Sequence, residues 1–220
     1  MNFWFAYYPY ICTTLLIAGL ILRYAAWPGD WNARSSEFFE KKWLRRGSLL
    51  FHYAIILSFF GHVAGLLTPE SVMRALRISV EAHTVLAVGM GMILAPLVVI
   101  GLGILLWRRF DNERVRATTA PMDVIVVLLI LLNGCTGLYQ AYVAHFPVFT
   151  TIGPWLRGLV AFRPDVALME GVPAFMQVHV VSAFTLFALV PFSRLVHIFS
   201  VPVTYALRPF QIYRRRYAGL

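Results

Sequence analysis

Charge is scarce in this chain, and acid scarcer than base: 13% of its 220 residues are charged, and ten acidic side chains face nineteen basic ones. So little charge cannot solvate an ordinary globular surface, and 60% hydrophobic content with a mean hydropathy of +0.72 excludes the common soluble class. Cysteine is nearly absent. Cys12 and Cys135 form neither a Cys-x-x-Cys nor a Cys-x-x-Cys-His pattern, which weighs against cysteine-bound iron–sulfur clusters and covalent c-type haem; both read as small apolar packing residues. No repeat or low-complexity stretch stands out. The start, Met1-Asn2-Phe3-Trp4, also lacks a positive leader and a small-residue cleavage site, so the first apolar run is expected to be retained.

What the chain has in abundance is apolar length. Runs near 3–24, 48–68, 83–107, 122–143 and 173–199 are each long enough for a helix to cross a hydrocarbon core of roughly 30 Å. The expectation is a single all-α membrane domain over 1–220, with five spanning helices and termini on opposite sides. Base is concentrated in 23–47, 108–120 and the tail, which hold fourteen Lys or Arg residues; the alternate loops hold only Arg74, Arg77, Arg157 and Arg163. Positive residues stay inside, so the N-terminus is expected outside and the C-terminus in the cytoplasm. The net charge of +9 is a topology signal here rather than a nucleic-acid footprint.

Aromatic residues Phe3, Trp4, Phe5, Tyr7, Tyr8 and Tyr10 form an interfacial belt at the start of the first run. The third run contains Pro96, which is expected to bend it. Between the fourth and fifth runs, Phe146, Phe149, Trp155, Leu156, Leu159, Val160 and Phe162 read as a short amphipathic segment on the outer surface, placed to cover an outer pocket.

Four of the six histidines lie inside apolar runs: His52 and His62 in the second, His179 and His197 in the fifth. An imidazole in hydrocarbon has no water for its ring nitrogens and is a functional-site candidate by default, with metal ligation the commonest satisfaction. The 18 residues from His179 to His197 make roughly five helical turns, about 27 Å along one face; the ten from His52 to His62 fall about 80° short of three turns, roughly 15 Å. With the second and fifth runs antiparallel, depth pairs His52 with His197 and His62 with His179. Zinc fits poorly, because two histidines leave its tetrahedral set incomplete and no cysteine or carboxylate is near in sequence. Haem iron needs only two axial ligands, and with both positions filled it carries electrons rather than binding substrate. The plainer reading is that each histidine bonds to a neighbouring helix.

Taken together, Leu50-Phe51-His52, Gly61-His62-x-x-Gly65-x-Leu67-Thr68-Pro69, Arg114-Val115-Arg116-Ala117-Thr118-Thr119 and Pro191-Phe192-Ser193-Arg194-Leu195-Val196-His197-Ile198-x-Ser200-Val201-Pro202 make nearly the whole chain resemble the gamma subunit of respiratory membrane-bound nitrate reductase, a dihaem b-type cytochrome. The resemblance implies a proximal haem held by His52 and His197 near the cytoplasm and a distal haem held by His62 and His179 near the outside. It implies quinol oxidation near the distal haem with proton release outside. Electrons then pass to an iron–sulfur beta subunit and a molybdenum alpha subunit reducing nitrate to nitrite, in a complex of the bacterial or archaeal cell (inner) membrane. Arg114, Arg116 and Arg194 become candidates for haem propionates, since guanidinium matches carboxylate geometry. The family pattern expects a basic residue near the quinol site at the start of the third run, where this chain has Glu81-Ala82-His83; His83 and Gly65 are its quinol-site candidates. Competing readings are a related dihaem subunit of another cytoplasmic oxidoreductase, such as the sulfur or heterodisulfide systems, and a haem-free membrane anchor or transporter. Neither repeat symmetry nor broken helices at the midplane, the marks of a transporter, are evident.

Overall fold

The computed structural model describes residues 1–27 and 36–199, and every regular element among them is helical. The basic tail, Arg34, Trp31 and the Ser200-Val201-Pro202 end of the last motif lie outside the described residues. A π-helical turn, Phe3–Tyr7, leads into α1 (Tyr8–Ala26). Then come α2 (Lys42–Leu67), the short α3 (Glu70–Ala75), α4 (Val80–Asp111), the short α5 (Glu113–Ala117), α6 (Pro121–Tyr139) with a π-turn Gln140–Ala144, α7 (Ile152–Val160) and α8 (Ala174–Leu189). Five helical stretches are long and apolar enough to cross a membrane: Phe3–Ala26, Lys42–Leu67, Val80–Asp111, Pro121–Ala144 and Ala174–Phe192.

Two helices start earlier than their apolar runs because polar residues cap them. The Glu40 carboxylate accepts the Trp43 and Leu44 N–H groups at 2.9 and 3.2 Å, so α2 begins before the apolar run. Ser79 Oγ accepts the Ala82 N–H at 3.1 Å and opens α4.

The fifth run departs most from expectation. It is not one helix over 173–199: α8 ends at Leu189, and two 3₁₀ segments, Val190–Phe192 and Arg194–Phe199, follow with Ser193 extended between them. Pro191 has no N–H and cannot continue the ladder. The five-turn register between His179 and His197 is therefore replaced by a broken path.

α2 packs along α4, α4 against α6, α6 against α8, and α8 against α1. One core cluster joins Ala54, Leu94, Val98, Leu102, Val126 and Ile130 between α2, α4 and α6. A second gathers Phe5, Ile152, Trp155, Leu159, Met169, Val172, Met176 and Val180, binding α7 to the π-helical turn before α1 and to α8. Outward-facing Ile21, Phe60, Val85 and Leu86 are exposed, as side chains meeting lipid are.

Prolines within helices leave the carbonyl four residues earlier without its ladder donor, a costly vacancy in hydrocarbon. Pro9 deprives Phe5, whose carbonyl accepts instead from the buried Trp155 indole Nε1–H at 2.9 Å. Pro96 deprives Met92, whose carbonyl accepts from Tyr142 O–H at 2.7 Å, and α4 runs unbroken across the proline.

Candidate functional site

His52 lies one turn after Ser48 in α2, and its Nδ1–H donates to the Ser48 carbonyl at 2.8 Å, with Ser48 Oγ at 3.0 Å. His62 repeats the arrangement with the Ser58 carbonyl at 2.6 Å. His197, in the second 3₁₀ segment, donates from Nδ1 to the Arg194 carbonyl. A carbonyl only accepts, so in these three rings Nδ1 carries the proton. His179 Nδ1 meets Thr136 Oγ1 at 2.7 Å, and that hydroxyl gives its own proton to the Leu132 carbonyl at 2.9 Å. With its proton on the carbonyl, the hydroxyl accepts from His179, the same tautomer as in the other three rings, and Nε2 is the nitrogen that could bind a metal.

The rings meet in two pairs. His52 and His197 stand 6.0 Å apart between centroids at 63°, and His62 and His179 stand 6.2 Å apart at 15°. Two imidazoles on opposite sides of one metal, with bonds of about 2.0 Å and ring centres about 1.1 Å behind the nitrogens, stand roughly 6.2 Å apart. The residues fit that demand. Among the described residues no cluster of three or more His, Cys, Asp or Glu side chains could share an ion, so each site offers two protein ligands. Haem iron, which takes its other four nitrogens from the macrocycle, suits such a pair.

His83 stands apart from both pairs, near the start of α4. Its Nδ1 is buried without a hydrogen-bond partner, and its ring lies 4.4 Å from that of Phe149 between centroids. A Cβ on Gly65 would lie 3.7 Å from His83 Nε2, so the two quinol-site candidates are neighbours. Arg157 of α7 lies 5.6 Å over the Phe149 ring and donates to the Leu66 carbonyl at 2.8 Å, tying α7 to the end of α2 beside His83. The sequence pointed to an aromatic surface segment here, but not to Arg157 as its fastener.

The arginines divide. Arg114 and Arg116 are exposed on α5, Arg116 facing Glu113 at 4.0 Å. Arg194 Nε pairs with Asp123 Oδ1 at 2.7 Å and its guanidinium donates to the Thr118 carbonyl at 2.9 Å. Asp123 is buried, also accepts the Ala120 N–H at 3.0 Å, and lies 3.5 Å from Arg109. A carboxylate at the head of an apolar run was the available signal for this network.

At the same end of the bundle, buried Arg108 binds Glu40 Oε2 at 2.7 Å, Ser36 Oγ at 3.0 Å and the Ser36 and Glu40 carbonyls at 2.9 and 2.6 Å. Burial by itself raises the Glu40 carboxyl, but the Trp43 N–H, the Arg108 guanidinium and the Leu44 N–H prevail and hold it below the usual glutamate range.

An all-helical, multi-pass membrane protein with paired imidazoles at two levels is the class that this fold and geometry define. The model of the nitrate reductase gamma subunit family matches residues 1–216. The chain is 41% identical over 212 residues to the nitrate reductase gamma chain of Bacillus subtilis (strain 168), covering 94% of this chain and 95% of that one. It is 38% identical over 220 residues to the respiratory nitrate reductase 2 gamma chain of Escherichia coli (strain K12), covering 97% and 96%. The chain belongs to the nitrate reductase gamma subunit family.

Proposed function

We propose that this chain is the dihaem b-type cytochrome of a quinol-oxidising respiratory nitrate reductase, seated in the cell inner membrane with its N-terminus outside. The observation that carries the reading is the presence of two imidazole pairs, at 6.0 and 6.2 Å, each ring anchored through Nδ1. His52 and His197 would hold the proximal haem, and His62 and His179 the distal one. Haem bound at these pairs would supply one-electron transfer.

The chain's own residues do the rest. Ser48, Ser58, Thr136 and Arg194 hold the four rings in one tautomer and orientation. His83 Nδ1, buried and lacking a partner, accepts the hydrogen bond of a quinol hydroxyl and takes its proton. Gly65 leaves room beside that ring, and Arg157 fixes α7 and Phe149 over it. Electrons leave at the opposite end to an iron–sulfur beta subunit and then to a molybdenum alpha subunit that reduces nitrate to nitrite. The exposed Arg114 and Arg116 on α5 are the guanidinium groups offered to haem propionates.

The test is a pyridine haemochrome assay with protein quantification on the purified chain or complex. About two b-type haems per chain are expected from two bis-histidine sites. Well-folded protein without haem, from haem-replete cells, would overturn the reading.

A further inference from the structure

His197 is the one member of the four that no α-helix carries, and among the described residues α1 and α6 both bond to the segment that bears it. Gly19 and Arg23 lie one turn apart on α1 and face the break after α8. A Cβ on Gly19 would lie 2.7 Å from Pro191 Cβ and Cγ, so the proline ring seats directly on the α1 backbone. The Arg23 guanidinium donates to the Pro191 carbonyl and to the Ser193 carbonyl at 3.1 Å, two acceptors within the break. In a water-poor setting such carbonyls need a donor, and a long cationic side chain supplies two at once.

From the other side, α6 presents Asp123. Its carboxylate takes Arg194 Nε at 2.7 Å, and the Thr118 carbonyl takes another Arg194 N–H at 2.9 Å. The carbonyl of this same Arg194 accepts His197 Nδ1–H. A continuous path of bonds therefore runs from Asp123 through Arg194 to the imidazole facing His52. We propose that Arg23 and Asp123 are positioning residues for His197: they clamp the 3₁₀ segment from opposite sides and set the spacing and angle of the His52–His197 pair, a role without counterpart at His62–His179, whose members both sit on continuous helices. The inference rests on the proposed haem ligation for its spectroscopic consequence, but not for the clamp itself.

Two readouts keep these apart. In the intact complex, Arg23→Met and Asp123→Asn are expected to shift the low-spin EPR signal of the haem that His197→Ala removes, or to weaken its retention by about tenfold. The other haem's signal stays in place, and Arg23→Lys restores part of the parent signal. Separately, spin labels on Tyr53→Cys and Ile198→Cys, with Cys12→Ala and Cys135→Ala, report the position of the segment against α2 whether or not haem is present. A narrow distance distribution in the parent that broadens in Arg23→Met and in Asp123→Asn is the expected result. Unchanged label distances in both variants overturn the clamp. Broadened distances in a chain that never carries haem would support the clamp while overturning the proposed function.

Discussion

His62 and His179 lie 6.2 Å apart between ring centroids and within 15° of parallel, whereas His52 and His197, at nearly the same separation, are turned by 63°. The equal spacing suits the same two-ligand demand at both pairs, and the rings that differ in angle are carried differently. α8 delivers His179 directly, while His197 arrives on a 3₁₀ segment after a break.

The pairing itself is open to a direct test. His62→Ala and His179→Ala are expected to remove one and the same haem, and His52→Ala and His197→Ala the other, each variant keeping about one haem per chain. Optical and EPR spectra of the four variants decide it. Loss of the same haem from the His52 and His62 variants would sink the pairing.

Thr136 orients His179 by accepting its Nδ1–H. Thr136→Val keeps the shape and removes the acceptor, and should loosen the distal haem by about 10- to 100-fold, with Thr136→Ser close to the parent. Haem retention on competition with apomyoglobin measures this; equal retention in Val and Ser variants would leave the contact without a role.

At Gly101 a Cβ would lie 2.7 Å from Phe51 N and 3.0 Å from Phe51 Cα, backbone that cannot step aside. Gly101→Ala should therefore push α4 from α2 next to His52, costing about 1–3 kcal/mol. Gly103→Ala, which meets nothing within 4 Å, serves as the control. Thermal unfolding in detergent separates the two.

Arg108 is buried against Glu40 and Ser36. Arg108→Ala takes the guanidinium from Glu40 and Ser36, leaving the Glu40 carboxylate only its backbone N–H partners, and should cost about 1.5–3 kcal/mol. The pH dependence has a definite sign. The folded Glu40 carboxyl is held below its ordinary value because the bonds from Trp43, Arg108 and Leu44 outweigh burial. Its contribution is therefore complete above the unfolded value of about 4.3 and is lost as pH falls through the lower folded one. Glu40→Gln should flatten the acid limb of stability measured from neutral pH downward.

His83→Ala should leave both haems in place and slow quinol oxidation, by about 100-fold or more if Nδ1 takes the proton. His83→Gln, which retains a hydrogen-bonding group without a basic nitrogen, should recover KM more than kcat. Steady-state kinetics with a quinol analogue checks the split.

The five spans were legible because each is a long apolar run, and the four histidines because polar rings stand out within such runs. Their depth order needed only the alternation of the helices. The break at Val190–Ser193 was not legible as such: Pro191 was visible, but a proline inside an apolar run reads equally as a kink, and α4 does pass unbroken through Pro96. At both prolines a side chain from elsewhere in the fold serves the exposed carbonyls, Tyr142 for Met92 in one case and Arg23 for Pro191 and Ser193 in the other. Contacts of that kind, like Arg157 beside His83 or Asp123 on Arg194, join residues far apart in the chain and leave no local pattern.

Each imidazole pair takes one ring from α2 and one from the stretch that begins with α8. A ribosome that has released the first four spans has thus made half of each site and the whole of neither. Any group gripped between the rings enters only when the last span has been inserted, so a chain truncated before it would be empty at both levels rather than at one.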